Sequence, residues 1–327
     1  MAVINYIEAV NSALREEMAQ DEKVFVLGED VGAKGGVFRA TEGLYEEFGE
    51  SRVLDTPLAE SAIAGVGIGA AMYGMKPVAE MQFADFIMPA VNQIISEAAK
   101  IRYRSNNDWT CPMTIRAPYG GGVHGALYHS QSVESLFAHV PGLKIVMPST
   151  PYDVKGLLKA AIRDEDPVLF FEHKRAYRLV KGEVPEEEYV LPIGKADVKK
   201  EGTDVTVISY GLCLHFAMQA AERLEEEGIS THILDLRTVY PLDQEAVIQA
   251  ASKTGKVLLV TEDNKEGSLM GEAAAIIGEY CLFDLDAPIQ RLAGPDTPAM
   301  PFAPTMEKYF MMNPEKIEKA IRDLAEF

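Results

Sequence analysis

Glu60 is the ionisable residue whose surroundings most favour chemistry. It is the only charged residue between Asp55 and Lys76, and the residues after it are almost all small or apolar. With Pro57 at a first helical position, the stretch predicts a helix buried on every side. One interpretation is that the helix dipole stabilises a carboxylate in the first turn. The other is that a buried acid keeps or shares a proton and exchanges it with a cofactor nitrogen.

A glycine-rich loop carries two histidines. The run Tyr-Gly-Gly-Gly-Val-His-Gly-Ala-Leu-Tyr-His-Ser-Gln-Ser at 119–132 places His124 and His129 after a predicted strand. No Gly-Lys-Ser/Thr follows, so the run is not a P-loop. The histidines could ligate a metal, but no third ligand stands at a familiar spacing. Acid–base or anion-positioning work suits them better, and a purely structural role stays open.

Two aromatic residues follow another predicted strand. Phe83 and Phe86 belong to Glu-Met-Gln-Phe-Ala-Asp-Phe at 80–86, where a strand becomes a helix. By default they are core residues. The alternative is that one of them covers the face of a planar cofactor.

The sequence pattern Gly65-x-Gly67-x-x-Ala70 resembles the fingerprint motif of dinucleotide-binding proteins. That motif should directly follow a strand and open a helix, with an acid about 20 residues later. Here the glycines lie inside the predicted helix, and Glu80 follows Ala70 too soon. The glycines are better explained by close helix packing than by nicotinamide binding.

Strands and helices alternate along most of the chain and predict where these residues meet. Short apolar runs separated by helical patterns predict an α/β fold of two three-layer domains, with mainly parallel sheets covered on both faces. We expect a first domain over 1–178, a charged linker over 179–203 and a second domain over 204–327.

The amino-acid composition argues against some functional classes of protein. The 327 residues include 31 basic and 50 acidic residues, for a formal charge of −19, with 47% hydrophobic residues. This acidic balance argues against nucleic-acid or anionic-membrane binding, which needs basic patches. No stretch predicts a transmembrane helix or a signal peptide, and the three cysteines are far apart. We therefore expect a cytoplasmic protein.

Together these stretches resemble the β subunit of the thiamine-diphosphate-dependent 2-oxo acid dehydrogenases, the first component of the large 2-oxo acid dehydrogenase complexes. The resemblance spans nearly the whole chain. The branched-chain type is nearest, through Gln-Phe-Ala-Asp-Phe and Gly-Ala-Leu-Tyr-His-Ser-Gln, and the pyruvate type is the alternative. The matching segments are Leu-Gly-Glu-Asp-Val-Gly (27–32), Gly-Gly-Val-Phe-Arg (35–39), Asp-Thr-Pro-Leu-Ala-Glu (55–60), Ala-Ala-Lys-Ile-Arg-Tyr-Arg (98–104), His-Ser-Gln (129–131), Asp-Leu-Arg-Thr (235–238) and Pro-Leu-Asp (241–243).

The resemblance implies a role for each candidate residue. The first domain would bind the aminopyrimidine of thiamine diphosphate, and the second would resemble the transketolase C-terminal domain. Glu60 matches the glutamate that hydrogen-bonds pyrimidine N1′, and Phe86 matches an aromatic residue stacked on that ring. His129 matches a histidine near the reacting carbon, suited to donate a proton when the acyl group passes to the lipoyl arm of the acyltransferase component.

The resemblance also implies partners. The diphosphate and Mg²⁺ would lie on an α subunit carrying a Gly-Asp-Gly signature, which this sequence lacks, so we expect an α2β2 heterotetramer acting on a small 2-oxo acid. A potassium ion is implied beside Thr114 and the turn containing Asp164 and Asp166. The alternative function, which is not enzymatic, is that of a scaffold chain. In that case the helix and the loop would serve only subunit contact.

Overall fold

The computed structural model describes the whole chain, Met1–Phe327. The chain forms two compact units, and each is built from two separate segments. The first unit comprises Met1–Tyr119 and Leu136–Ile193, and the second comprises Gly120–Ser135 and Gly194–Phe327.

This division differs from the sequence expectation in one respect. Residues 120–135 were expected within the first domain, 1–178, but they belong to the second unit. The physical reason is that the backbone of this loop is hydrogen-bonded to carboxylates of the second unit, Glu262 and Glu307. The main boundary, after Ile193, falls inside the predicted linker 179–203.

The first unit contains eight strands, six complete helices and the larger part of a seventh. Its strands are β1 Ala2–Asn5, β2 Val24–Gly28, β3 Val53–Asp55, β4 Lys76–Glu80, β5 Thr114–Tyr119, β6 Lys144–Val146, β7 Val168–His173 and β8 Lys181–Val184. The helices are α1 Tyr6–Gln20, α2 Leu44–Phe48, α3 Glu60–Met72, α4 Ile101–Arg104, α5 Glu134–Ala138, which begins in the second unit, α6 Pro151–Arg163 and α7 Ala176–Leu179.

Six of these strands form a parallel sheet in the order β6-β7-β5-β4-β2-β3. Strands β2, β5 and β7 are buried along their whole length. Such continuous burial explains why their sequences read as apolar runs rather than as alternating patterns. A separate antiparallel pair joins β1 to β8.

Helices α1 and α6 pack against each other over a core that includes Val26, Val78 and Phe170 of the sheet. Both helices have a capping box, formed by Asn5 with Glu8 and by Thr150 with Asp153. The side chains at these positions satisfy backbone N–H groups that the helix itself leaves open. Helix α6 begins with proline as its first residue, directly after the Thr150 cap, as expected for proline at a first helical position.

One predicted helix is broken in the structure. The helical spacing of apolar residues from Ile87 to Ala99 predicts a continuous α-helix over 85–103. The chain instead forms a 3₁₀-helix at Ala84–Ala90, a π-helix at Gln93–Glu97, a 3₁₀ turn and then α4. Pro89 lies within the first segment, where its missing N–H and its ring interrupt regular α-helical hydrogen bonding.

The second unit has its own, smaller sheet. Its strands are β9 Asp197–Lys200, β10 Val205–Ser209, β11 Thr231–Asp235, β12 Thr238–Tyr240, β13 Val257–Asn264 and β14 Gln290–Gly294. Its helices are α8 Gly211–Glu225, α9 Gln244–Thr254, α10 Leu269–Tyr280, α11 Pro304–Phe310 and α12 Pro314–Ala325. Five strands pair in the order β14-β13-β10-β11-β9, and only β9 runs antiparallel to its neighbour.

Helices α8 and α12 pack together on this second sheet, while α9 packs against α10. The core beneath α8 and α12 includes Val207, Leu214, Val260 and Ile321. The mainly parallel, helix-covered architecture predicted for both domains is therefore confirmed. No helix combines the length and apolar character needed to cross a membrane.

A buried ionic network lies at the centre of the first sheet. Arg116 on β5 is completely buried and donates through Nε and Nη2 to both carboxylate oxygens of Glu172, at 2.6 and 2.7 Å. Its Nη1 donates to Glu80 at 2.7 Å, and the Tyr177 hydroxyl donates to Glu172 at 2.6 Å. Because burial disfavours its charged form, the pKa of Glu80 is raised.

We expect Arg116→Leu to lower the free energy of unfolding by about 3–5 kcal/mol, because it leaves two buried carboxylates without their cation. Urea unfolding of the purified chain measures this loss. Arg178→Leu, at an exposed arginine of the same unit, is the matched control and should change stability by no more than about 0.5 kcal/mol. Equal effects of the two substitutions would show that the network contributes no specific stability.

Candidate active site

The carboxyl ends of three parallel strands meet at one side of the first sheet. Gly28 at the end of β2 is in register with Asp55 of β3 and with Glu80 of β4. In open parallel sheets, ligands bind outside these ends. Glu29 directly follows β2, Glu60 begins the helix after β3, and Phe86 lies in the helical segment after β4, so the fold brings these elements together.

Glu60 is the first residue of α3. The N-cap position is taken by Ala59, which provides no side-chain cap. The Glu60 carboxylate is half-buried and has no hydrogen-bond or ion-pair partner in the chain. Its place in the first turn matches the helix-dipole interpretation, and its lack of a partner leaves it available to a ligand.

The expectation that α3 is buried on every side is wrong for this chain. Ile63, Ala64 and Ile68 face the core, but Gly65 and Val66 are exposed. The helix is apolar on every side, but the first unit packs against only one side of it. Gly65 and Gly67, which resemble a dinucleotide fingerprint, lie inside α3, as expected, so they cannot form a dinucleotide loop.

Glu29 was not singled out from the sequence. Only 4% of its surface is exposed, and neither carboxylate oxygen has a hydrogen-bond partner. Burial, and then the charges of Glu60 and Asp30, raise the pKa of Glu29 to about 7. Its position directly after a buried strand ended by Gly28 was the signal that could have identified it.

Phe86 continues a line of aromatic side chains. Its ring meets Phe83 edge-on, with centroids 5.6 Å apart, and Phe83 in turn meets Phe38 at 5.4 Å. The Lys174 ammonium lies 5.5 Å from the Phe83 ring centroid. Phe83 lies between Phe38 and Phe86, and both Phe83 and Phe86 are half-buried, so this segment offers an aromatic face that can cover a planar ligand.

The histidine loop belongs to the second unit. His129 is half-buried and caps a short 3₁₀ turn, Ala126–Tyr128. A Cβ atom added at Gly125 would lie 2.6 Å from the His129 Cβ, so only glycine allows this close approach. His124 is more exposed, and its Nδ1 lies 2.5 Å from Oε2 of Glu307.

The residues expected at a potassium site fit only in part. Thr114 is buried and its hydroxyl has no hydrogen-bond partner. Both carboxylate oxygens of Asp164, however, accept hydrogen bonds from the Lys144 ammonium at 2.7 Å, and Asp166 accepts one from Arg102 at 2.6 Å. The two carboxylates already have cationic partners, so they are not arranged to ligate potassium.

The geometry supports proton exchange at the carboxyl end of the first sheet. Glu60 offers a carboxylate without a partner, and the adjacent Glu29 has a pKa near neutrality. Two acids in one site, of which one holds its proton near pH 7, can take up and return a proton at a ligand nitrogen. Phe86 adds an aromatic face on a neighbouring element.

Comparisons with known proteins show the family to which the chain belongs. Residues 2–180 match the family "Transketolase, pyrimidine binding domain", and residues 194–317 match "Transketolase, C-terminal domain". The chain is 81% identical, over all of both chains, to the 2-oxoisovalerate dehydrogenase subunit beta of Bacillus subtilis. It is 48% identical, again over all of both chains, to the pyruvate dehydrogenase E1 component subunit beta of the same organism.

A solved structure, described as an inactive beta4 tetramer of a split-gene transketolase, has the same fold. The TM-score is 0.79 over 99% of this chain and 98% of that one, at 23% sequence identity. At this identity the likeness concerns the fold alone.

The raised pKa of Glu29 predicts how stability depends on pH. Because the folded chain holds this proton more tightly than the unfolded chain, stability should fall as pH rises from about 4.5 to about 7 and then level off. Glu29→Gln removes this loss, so between pH 5 and 8 the variant should gain about 1–3 kcal/mol relative to the unchanged chain. Urea unfolding at both pH values measures the difference, with the exposed Glu22→Gln as control. Parallel pH profiles for all three proteins would contradict the assignment.

Proposed function

Since the chain belongs to the β subunits of the thiamine-diphosphate-dependent 2-oxo acid dehydrogenases, we propose that it serves the oxidative decarboxylation of 2-oxoisovalerate (3-methyl-2-oxobutanoate). The acyl group then passes to a lipoyl domain. The observation that carries this proposal is the Glu60 carboxylate, which has no partner in the chain and lies beside Glu29 at the carboxyl end of a parallel sheet. A scaffold chain would have no need of such a pair.

The proposed substrate class rests on the difference in sequence identity to two relatives, both of which align over their full length. Identity is 81% to the 2-oxoisovalerate type and 48% to the pyruvate type. The two substrates differ in side-chain size, since a methyl group in pyruvate is replaced by a branched isopropyl group. Pyruvate is therefore the alternative substrate, and the walls of the pocket decide between them.

The residues at the sheet end suit the aminopyrimidine of thiamine diphosphate. Glu60 would hold and move a proton at pyrimidine N1′, and Glu29 would take part in the exchange because its pKa lies near neutrality. Phe86 would cover the ring face. When bound, thiamine diphosphate supplies the electron sink for loss of CO₂.

The cofactor needs a second chain in this proposal. No Gly-Asp-Gly signature for Mg²⁺ and the diphosphate is present in the sequence. An α subunit would supply that half of the site within an α2β2 heterotetramer. The uncovered small residues of α3, among them Gly65 and Gly69, would allow a neighbouring chain to approach closely.

His129 would act in the second half of the reaction. Transfer of the acyl group to the lipoyl arm requires a proton at a lipoyl sulfur, and a half-buried loop histidine suits that task. Decarboxylation alone does not require this proton. Loss of His129 should therefore impair acyl transfer more than decarboxylation.

The lipoyl acyltransferase component would dock on the second unit. Phe283 is 99% exposed there, and the exposed acids Glu279, Asp284 and Asp286 lie near it in sequence. An apolar contact surrounded by acidic residues suits a small basic domain, whose association should slow as salt screens the charges.

The proposed substrate is tested with the chain assembled with its matched α subunit. We expect kcat/KM for 3-methyl-2-oxobutanoate to exceed that for pyruvate by about 10-fold or more, because each added methyl group contributes binding in a fitted apolar pocket. Glu60→Gln in the same assembly should lower decarboxylation of both substrates by about 100-fold or more, which shows that turnover depends on this chain. Equal or better use of pyruvate would assign the chain to the pyruvate type.

A further inference from the structure

The loop that carries His129 is fastened to the second unit by two carboxylates. The backbone N–H of Gly121 donates to Oε1 of Glu262, which lies near the end of β13, at 2.6 Å. The N–H of Gly120 donates to the Gln131 carbonyl at 3.0 Å and closes the base of the loop. The loop is therefore held by a side chain 141 residues away in sequence.

Glu307 makes the most extensive of these contacts. It lies on α11 and is only 3% exposed. Its Oε1 accepts hydrogen bonds from the backbone N–H groups of Gly122, at 3.2 Å, and His124, at 3.1 Å. Its Oε2 lies 2.5 Å from Nδ1 of His124. A single carboxylate thus satisfies two backbone donors and one ring nitrogen of the loop.

The loop conformation is one that needs such support. His124 has φ +56° and Ala126 has φ +50°, values in the left-handed region that cost non-glycine residues roughly 1–2 kcal/mol each. Strained residues of this kind persist only where their surroundings hold them. Beneath the loop, a Cβ atom at Gly121 would lie 2.5 Å from Met300 and 2.8 Å from Met311, so the backbone is also closely packed from below.

The restraint extends to the reactive histidine. Only Gly125 and the 3₁₀ turn Ala126–Tyr128 separate His124 from His129, and Gly125 packs directly against the His129 Cβ. Movement of the His124 backbone would shift Gly125, against which the His129 Cβ packs. The carboxylate of Glu307 is therefore connected through the loop backbone to the position of the His129 Cβ.

We propose that Glu307 is a positioning residue, which holds the strained loop in the conformation from which His129 serves acyl transfer. This inference rests on the proposed function for the role of His129, but not for the loop contacts themselves. Glu307 does not touch the reacting atoms. It acts by fixing the backbone at Gly122 and His124.

The kinetic test compares Glu307→Ala and Glu307→Gln in the α2β2 holoenzyme. Two assays are needed: acyl transfer to a lipoyl domain, and decarboxylation with an artificial electron acceptor. Glu307→Ala should lower acyl transfer by about 10-fold or more and decarboxylation much less. Glu307→Gln should retain most acyl transfer, because its amide oxygen can still accept from both backbone N–H groups. The exposed Glu315→Ala is the control and should change neither rate.

A double-mutant cycle separates positioning from general structural support. If Glu307 acts through His129, then Glu307→Ala should lower acyl transfer no further in a His129→Ala background. The proposal would be overturned if the double variant lost acyl transfer by the product of the two single-variant losses. It would also be overturned if Glu307→Ala lowered both assays equally, or if Glu307→Gln were as impaired as Glu307→Ala.

Amide exchange tests the contacts without any activity. Hydrogen exchange at residues 120–132 should be faster in Glu307→Ala and unchanged in Glu307→Gln. Unchanged protection in both would reject the restraint even if the enzyme turns over as proposed. Conversely, a holoenzyme inactive on 2-oxo acids, with faster exchange in Glu307→Ala, would reject the proposed function and leave the restraint standing.

Should Glu307→Ala fail to fold, substitutions at His124 test the same strained backbone. Asparagine tolerates positive φ, whereas valine does not. His124→Asn should retain acyl transfer and His124→Val should lose it selectively. Indistinguishable variants would overturn the proposal.

Discussion

The burial of Arg116 between two carboxylates is the interaction on which the first unit depends. Arg116 lies on the central strand β5 and binds Glu80 of β4 and Glu172 of β7. A buried charge is tolerated only when it is paired and hydrogen-bonded, so the network favours the register in which Arg116 meets both carboxylates. The end of β4 is in register with the end of β2, so the network lies on the same strands from which Glu29 and the segment leading to Phe86 extend.

The sequence predicted those parts of the site that follow from local pattern. Alternating strands and helices were sufficient for two parallel α/β units, and the isolation of Glu60 among small residues was sufficient to identify it as a candidate. The segment 84–104 was harder, because helical spacing does not reveal that Pro89 will break the helix into 3₁₀ and π segments. The burial of α3 was overestimated, since its composition is apolar on every side although Gly65 and Val66 are exposed in this chain.

The contacts around His129 could not be predicted from the sequence. Glu307 lies 183 residues from His124 and 185 from Gly122, and its neighbours in sequence give no sign of a role. Its contacts with the loop depend on a change of unit within the chain, since residues 120–135 belong to the second unit. The same holds for Glu29, whose pKa near neutrality results from burial and from Glu60, neither of which is visible in the local sequence.

We propose that this chain supplies the proton-exchange half of a site that an α subunit completes. The most direct measurement is thiamine-diphosphate-dependent decarboxylation of 3-methyl-2-oxobutanoate by the chain alone, by its matched α subunit alone, and by the two mixed. We predict turnover in the mixture only. Turnover by the purified chain alone would contradict the claim, because the chain would then have to hold the diphosphate and its metal by itself.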